Sequence, residues 1–535
     1  MLKLNRDLLD PNFEGYKVSM ENFPIFKKNL EEKSFSRNRP NSMVSLAHIK
    51  IFGEENSIFA NFQDRNLYRF LENGDVQQIL LDSEFKTFST STITNIDLKS
   101  LEAPGYPPNL IFTSHNLVVA SNGISDILVF LEVGRKEWVE MLKIEIPVEN
   151  DPGICLIEAR ADENRQNLHI LASRIENDEN KKKLRTRLFW ITVGLEDLDV
   201  AETLKIKSQK EILLPGSFET ATLVENEQQL MVISSESPRF SDKPENSGIF
   251  TQTGNKIEVE FEIFHEISEE NVKFNISKKS IFLAVNDDIL LEGTLFGEIN
   301  EKTVEICADP KNHKISLKLD KLTENSWERL LECENAEIQQ KIEKKGFGAP
   351  ENSQEEEQKV CGAVDEYSEE CDESETSQYI WYLDCENQKI LKKFDISGHQ
   401  ILFTRRNNLT PAEICLRFDV DGIIWKFDGA QPEHLATLQA FGYVQASKVQ
   451  RIWSGASTDN KFGAIVEANR LLIYSQNVAV DGNLMNRKTS SKVTHISKQQ
   501  LLRLETSEKI CGVQMLENMI FAATKSEIHV AVLSE

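Results

Sequence analysis

The chain has 535 residues, 40% of them hydrophobic, and a formal net charge of −25. That length exceeds the ~100–150 residues typical of one domain, so more than one core is expected, and the hydrophobic share is that of a globular chain. The acidic balance argues against the clustered lysine and arginine that grip a nucleic-acid backbone. It does not exclude a protein partner drawn from a nucleic-acid pathway.

The first residues, Met1 to Asp7, lack the apolar core of a secretory signal, and no stretch approaches the ~20 apolar residues of a membrane span. A soluble protein that is not secreted is expected. Eight cysteines (155, 307, 333, 361, 371, 385, 415 and 511) form no CxxC pair and read as reduced thiols. The sequons at Asn275 and Asn408 are then chance matches.

From the N-terminus one pattern recurs: a short apolar strand, a tight polar turn, then a second apolar strand. It begins with Ser57–Ala60 turning into Leu67–Phe70, and returns as Leu117–Ala120, the turn Ser121-Asn122-Gly123, and Ile127–Phe130. Further cases start near Leu168 and Leu230. After a long interruption the pattern resumes at Ile414–Leu416 with Ile423–Trp425, at Ile465-Val466 with Leu471–Tyr474, and near Met519. Seven recurrences at roughly 50–60 residues lie close to the ~40–50 of propeller blades, and a four-stranded blade buries its faces against its neighbours. The expected fold is all-β: a seven-bladed β-propeller assembled from an N-terminal part, 1–243, and a C-terminal part, 378–535. WD and kelch motifs are absent, and a generic all-β chain of hairpins is the alternative. Tyr379–Leu383 is read either as the start of a separate blade or as outer strands for the blade at Ile414.

The interruption opens on a short polar linker, 241–247. Apolar runs alternating with period two then cover Ile249–Thr253, Ile257–Ile263, Val272–Ile276, Ile281–Val285, Leu291–Gly297, Val304–Ile306 and Ile315–Leu319, closing on Trp327-Glu328-Arg329-Leu330. Seven such strands predict a compact β-sandwich at 246–333. Without a catalytic set inside it, this module points to protein binding. The outward polar positions Gln252, Thr253, Lys256 and Lys273 are candidates for an interaction face, with Phe250, Trp327 and Arg329 beside them. The bulk of Trp327 favours the core. Residues 332–345 are charged and predicted helical, while 351–377 hold eleven acidic residues against the single Lys359. The whole of 334–377 is therefore expected to be a flexible acidic tether, with Ser368, Ser374, Thr376 and Ser377 as possible phosphorylation positions.

Phe250-Thr251-Gln252-Thr253, the Leu-Glu-Gly-Thr-Leu turn at 291–295 and the terminal Trp327-x-Arg329-Leu330 resemble a CS domain of the NudC type. Such domains are associated with co-chaperones of heat-shock protein 90. The aromatic before Gln-Thr is usually Trp in that family and is Phe250 here. Asp7–Lys17, Leu416–Asp421, His434–Thr437 with Phe441–Lys448, and Lys498–Gln500 with Leu504–Thr506 are also similar to NudC-family sequence, in the same order. The resemblance runs along essentially the whole chain apart from 350–377. It implies a non-enzymatic adaptor or co-chaperone working with heat-shock protein 90 and client proteins. It also implies partners such as propeller-type clients and a DEAH-box RNA helicase, and presence in both cytoplasm and nucleus.

The chain carries few motifs of catalytic chemistry. There is no GxxxxGK[ST], no GxGxxG between strand and helix, and no GxSxG elbow. The nine histidines form no HxH or HExxH, and none has zinc spacing with cysteine. Asp419-Val420-Asp421-Gly422 is superficially like a calcium loop but lacks the downstream Glu, and Asp-Gly turn chemistry explains it. No catalytic residue, metal or cofactor is expected. Two other readings stay open: a pure scaffold with no chaperone role, and an enzyme with its site in the propeller channel.

Overall fold

The computed structural model describes residues 2–11, 13–19, 23–37, 45–53, 55–62, 66–82, 87–99, 104–134, 137–147, 153–162, 164–178, 183–195, 204–224, 226–240, 247–262, 272–285, 288–309, 314–323, 325–327, 329–332, 342–344, 377–407, 410–428, 431–480, 483, 485, 490 and 492–533. It divides into two compact units. One joins Met1–Phe240 to Cys371–Glu535, and the other is Ser241–Glu370.

The first unit is a seven-bladed β-propeller, built from seven sheets of at least four antiparallel strands. Blade 1 is Phe59–Asn61, Asn66–Phe70, Asp75–Asp82 and Thr87–Asn95, and blade 2 runs from Asn109–Phe112 to Trp138–Glu145. Blade 3 runs from Cys155–Ala161 to Lys205–Leu214, and the short strand Arg239–Phe240 adds to its outer edge. Blade 5 spans Ile401–Arg405 to Glu433–Leu438, and blade 6 spans Trp453–Ala456 to His495–Arg503.

Blade 4 is where the chain is interrupted. Its first two strands are Phe218–Val224 and Gln229–Ser234, and its last two are Tyr379–Asp384 and Lys389–Asp395. Ser234 is in register with Tyr379 and Gln229 with Asp384, an ordinary antiparallel pair whose connection happens to exceed 140 residues. This corrects both readings of Tyr379–Leu383: the strand starts no new blade and serves no strand near Ile414. The second unit is thus inserted within a blade, between its second and third strands. Local alternation identifies a strand but cannot name its partner when the partner precedes a long insertion.

Blade 7 closes the ring. Its inner three strands, Gly512–Met515, Met519–Ala523 and Glu527–Val532, come from the C-terminus, and its outer strand Ile25–Asn29 comes from the N-terminus. Closure is also legible in packing, because seven separate apolar clusters each join two adjacent blades. Phe112, Trp138 and Tyr68 tie blades 1 and 2, for example, and Ile58, Leu67, Phe521 and Val530 tie blades 7 and 1. Each blade is apolar on both faces because each is sandwiched, which is the condition for short, protected edges.

Ahead of blade 7 the N-terminal segment straps blades 5 and 6. The Asn5 N–H donates to His434 Nδ1 at 3.1 Å. Tyr16 Oη donates to the Gln439 carbonyl at 2.6 Å and accepts from Gln476 Nε2 at 2.9 Å, and Lys17-Val18 adds in parallel to the edge of blade 6. Burial pushes the Tyr16 phenol well above its usual range.

The second unit is a β-sandwich. A three-stranded sheet, Val272–Ile276, Ser280–Val285 and Asp288–Thr294, faces a sheet containing Ser247–Thr253, Lys256–Glu262, Glu305–Asp309 and Lys314–Asp320. These are the seven strands expected from alternation. Ile257, Val259 and Phe261 point inward with Ile315, Leu317 and Leu319, while Glu258 and Glu260 point outward opposite Lys318 and Ser316. An eighth strand, Ile342–Lys344, pairs in parallel with Gly248–Phe250. It lies where the sequence predicted first helix and then tether, so the helical reading is corrected for those three residues. The remainder of that prediction, 333–341 and the acidic run 351–376, lies outside the described residues. No helix of the described residues is long and apolar enough to cross a membrane.

Candidate interaction surfaces

In the sandwich the candidate residues separate by role. Phe250 and Trp327 are both 2% exposed and belong to the core. Neither is part of an open face, which corrects their place among the interaction candidates. Trp327 lies so close to Gly297 that a Cβ there would come within 2.9 Å of its Cζ2, so the glycine is required by the indole.

Gln252 is committed internally as well. Its Oε1 accepts from the Trp327 N–H at 2.9 Å and from Lys321 Nζ at 3.2 Å, while its Nε2 donates to the Trp327 carbonyl at 3.0 Å and Ser326 Oγ at 2.7 Å. Lys321 is itself buried and donates also to the Asn325 carbonyl at 2.8 Å. The side chain therefore clamps the closing Trp segment onto the opening strand. This accounts structurally for the pairing of a Phe-Thr-Gln-Thr opening with a Trp-x-Arg-Leu close.

The other four candidates are exposed and lie on three separate segments of the sandwich. Thr253 and Lys256 face each other across the hairpin at Gly254. Lys273 lies on the edge strand of the opposite sheet beside Phe274, which is 60% exposed. Arg329 holds its guanidinium 5.7 Å from the Phe296 ring centroid.

In the propeller the inner strands of all seven blades surround a central cavity of about 580 Å³. Sequence alternation marked no site there, because each inner strand contributes only a few residues. One mouth carries a short helix, α1 (Leu46–Gly53), which links the outer strand of blade 7 to the inner strand of blade 1. Ser45 accepts the His48 N–H at 3.3 Å and so caps its first turn. Ser45 before the apolar run and Gly53 at its end were the signals that could have located it. Phe52 packs edge-on against Tyr106 with centroids 6.1 Å apart. Lys50 reaches across to pair with Glu219, at the start of the inner strand of blade 4.

Ionisable groups do converge on the cavity, but they are paired with one another. Glu158 lies 2.8 Å from Arg160 Nε and 3.7 Å from Arg406 Nη1. Burial raises its pKa against the pull of both guanidiniums. Arg405 Nε donates to Glu413 at 2.9 Å, and the same guanidinium reaches the Ser457 carbonyl. Among the described residues the cavity lining contains no histidine, and no group of three His, Cys, Asp or Glu could hold a metal. This arrangement stitches blades 3, 4, 5 and 6 together and offers an interior for binding.

Residues 247–321 match the CS domain. The chain is similar to NudC domain-containing protein 1 of Mus musculus, 24% identical over 583 residues that cover 98% of this chain and 97% of that one. Against the Xenopus tropicalis protein of the same name it is 24% identical over 585 residues, covering 99% and 98%. Among solved structures, Saccharomyces cerevisiae Sqt1 covers 96% of this chain and 100% of its own at 8% identity and TM-score 0.34. That score is low, and the propeller rests on its own seven sheets and seven inter-blade clusters.

Proposed function

We propose that this chain is a non-enzymatic adaptor or co-chaperone that binds client proteins through its propeller and its CS sandwich, linked to heat-shock protein 90. The observation that carries the reading is the pairing of two separately cored β units on one chain, aligned end to end with NudC domain-containing protein 1. Two binding surfaces on one chain raise the effective concentration of a shared client at the second surface, provided the connection spans them. The exposed Thr253, Lys256, Lys273 and Arg329 are the proposed sandwich contacts. A DEAH-box RNA helicase among the partners, and residence in both cytoplasm and nucleus, follow from the same resemblance and belong to the proposal.

Affinity purification with mass spectrometry tests it, using the full chain against a chain lacking 246–333. Loss of the chaperone and a reduced client set on deletion is the expected result. Unchanged client recovery would sink the co-chaperone reading in favour of a pure scaffold.

A further inference from the structure

Among the described residues, one cation lining the central cavity stands apart. Lys50, Arg405 and Arg406 line it, and each has a carboxylate partner: Glu219, Glu413 and Glu158. Arg451 also lines it, just ahead of the inner strand of blade 6, yet among the described residues no acid pairs with it. Its guanidinium makes a long hydrogen bond, 3.4 Å from Nη1 to the Gln445 carbonyl. Arg451 is exposed to solvent and open to an incoming partner. The lining of the same cavity is mixed: Trp453, Met515, Ile111 and Phe218 are apolar, while Asn109, Thr220 and Gln514 are polar.

Over the mouth lies α1, four of whose eight residues (Ala47, Lys50, Ile51 and Gly53) line the cavity. It bridges blade 1 to blade 4 by the Lys50–Glu219 ion pair, and rests on blade 2 through Phe52 and His48 against Tyr106. Lys50 is 44% exposed, so this ion pair is a weak fastening. Cys155 lines the cavity and packs beside Phe52, Tyr106 and Ile51, directly beneath the helix.

We propose that the propeller channel is a binding site for an extended peptide segment carrying one carboxylate flanked by apolar side chains, with Arg451 as the anion anchor and α1 as a lid held shut by Lys50–Glu219. An anionic partner supplies the counter-charge that this guanidinium lacks, and a planar fork suits a carboxylate bidentately. The apolar part of this mixed lining favours flanking apolar side chains over a purely polyacidic tract. The proposal deepens the adaptor reading by giving the propeller a partner chemistry.

Cys155 supplies a native reporter in the full chain. Its alkylation by iodoacetamide is followed by mass spectrometry, with exposed Cys307 and buried Cys415 as internal references. Lys50→Ala and Glu219→Gln should each speed Cys155 labelling by about two- to fivefold, the worth of a half-exposed ion pair. Phe52→Ala should speed it by about tenfold or more. Cys307 and Cys415 should not change.

The peptide acetyl-Leu-Glu-Leu-amide should slow Cys155 labelling in a saturable way. Its Gln counterpart should need about tenfold more for the same protection, and Arg451→Ala should abolish the preference while Arg451→Lys keeps part of it. Equal Cys155 rates in all three lid variants would overturn the lid. Absence of protection by the Glu peptide, in the Lys50→Ala chain as well, would overturn the site. Because the readout is a thiol in the channel and not client recovery, this test and the deletion test above can fail separately.

Discussion

At the scale of single residues, the chain is held by polar side chains that look like surface in the sequence. Gln252 is the clearest. Replacing it with Leu leaves the buried Lys321 ammonium and both main-chain groups of Trp327 short of partners. The expected cost is about 2–3 kcal/mol to the sandwich, seen as lost hydrogen-exchange protection across 314–332. Gly297→Ala should act on the same closure by displacing the indole, at about 1–3 kcal/mol. A histidine provides a pH signature in the propeller. His169 Nδ1 accepts from Trp190 Nε1 at 3.2 Å, and burial holds its pKa at about 4. The unfolded chain takes up this proton first, near pH 6.5, so the stabilisation is complete above that pH and is lost as pH falls from 6.5 toward 4. The slope is about 1.4 kcal/mol per pH unit. His434 and His529, also lowered by burial, act in the same direction. Urea midpoints at pH 7 and pH 5 should differ accordingly, and His169→Gln should narrow the gap.

At the scale of elements, seven recurring hairpins were legible because each one alternates over a few residues, and the structure turns each into one blade. What could not be read was who pairs with whom. Tyr379–Asp384 finds Gln229–Ser234 across the insertion, and Ile25–Asn29 finds Glu527–Val532 across almost the entire chain. Alternation reports a strand's faces, whereas pairing is set by the edge left open when the rest has folded. The candidate residues divide for a similar reason. Inward positions of Phe250 and Trp327 are consistent with alternation, but the Gln252 clamp depends on a contact 75 positions away. Tyr16→Phe, which leaves Gln476 without its acceptor and removes a donor from the Gln439 carbonyl, should lower propeller stability by about 1–3 kcal/mol. Deleting 1–30 removes the outer strand of blade 7 as well, and should yield a chain that melts far lower or aggregates, as followed by scanning calorimetry and light scattering.

For the whole molecule, the in-register pairing of Ser234 with Tyr379 means that blade 4 is complete without the insertion. Replacing 241–376 by a short Gly/Ser linker should therefore give a folded propeller, with a cooperative transition and a β-type far-ultraviolet spectrum. Failure to fold would mean that the ring depends on the inserted unit. The all-β class, the seven repeats, the seven alternating strands of the inserted module and the resemblance that frames its function are all legible in the residues alone, because two-residue periodicity and short motifs are local properties. The three-dimensional fold was needed to see that the insertion splits a blade, that the N-terminus closes the ring and that Gln252 is a clamp. It also revealed the cavity, lined by Arg451 and by the short helix at its mouth. Each of these depends on groups far apart in the chain meeting in space, and a pattern read within a window of a few residues holds no information about such meetings.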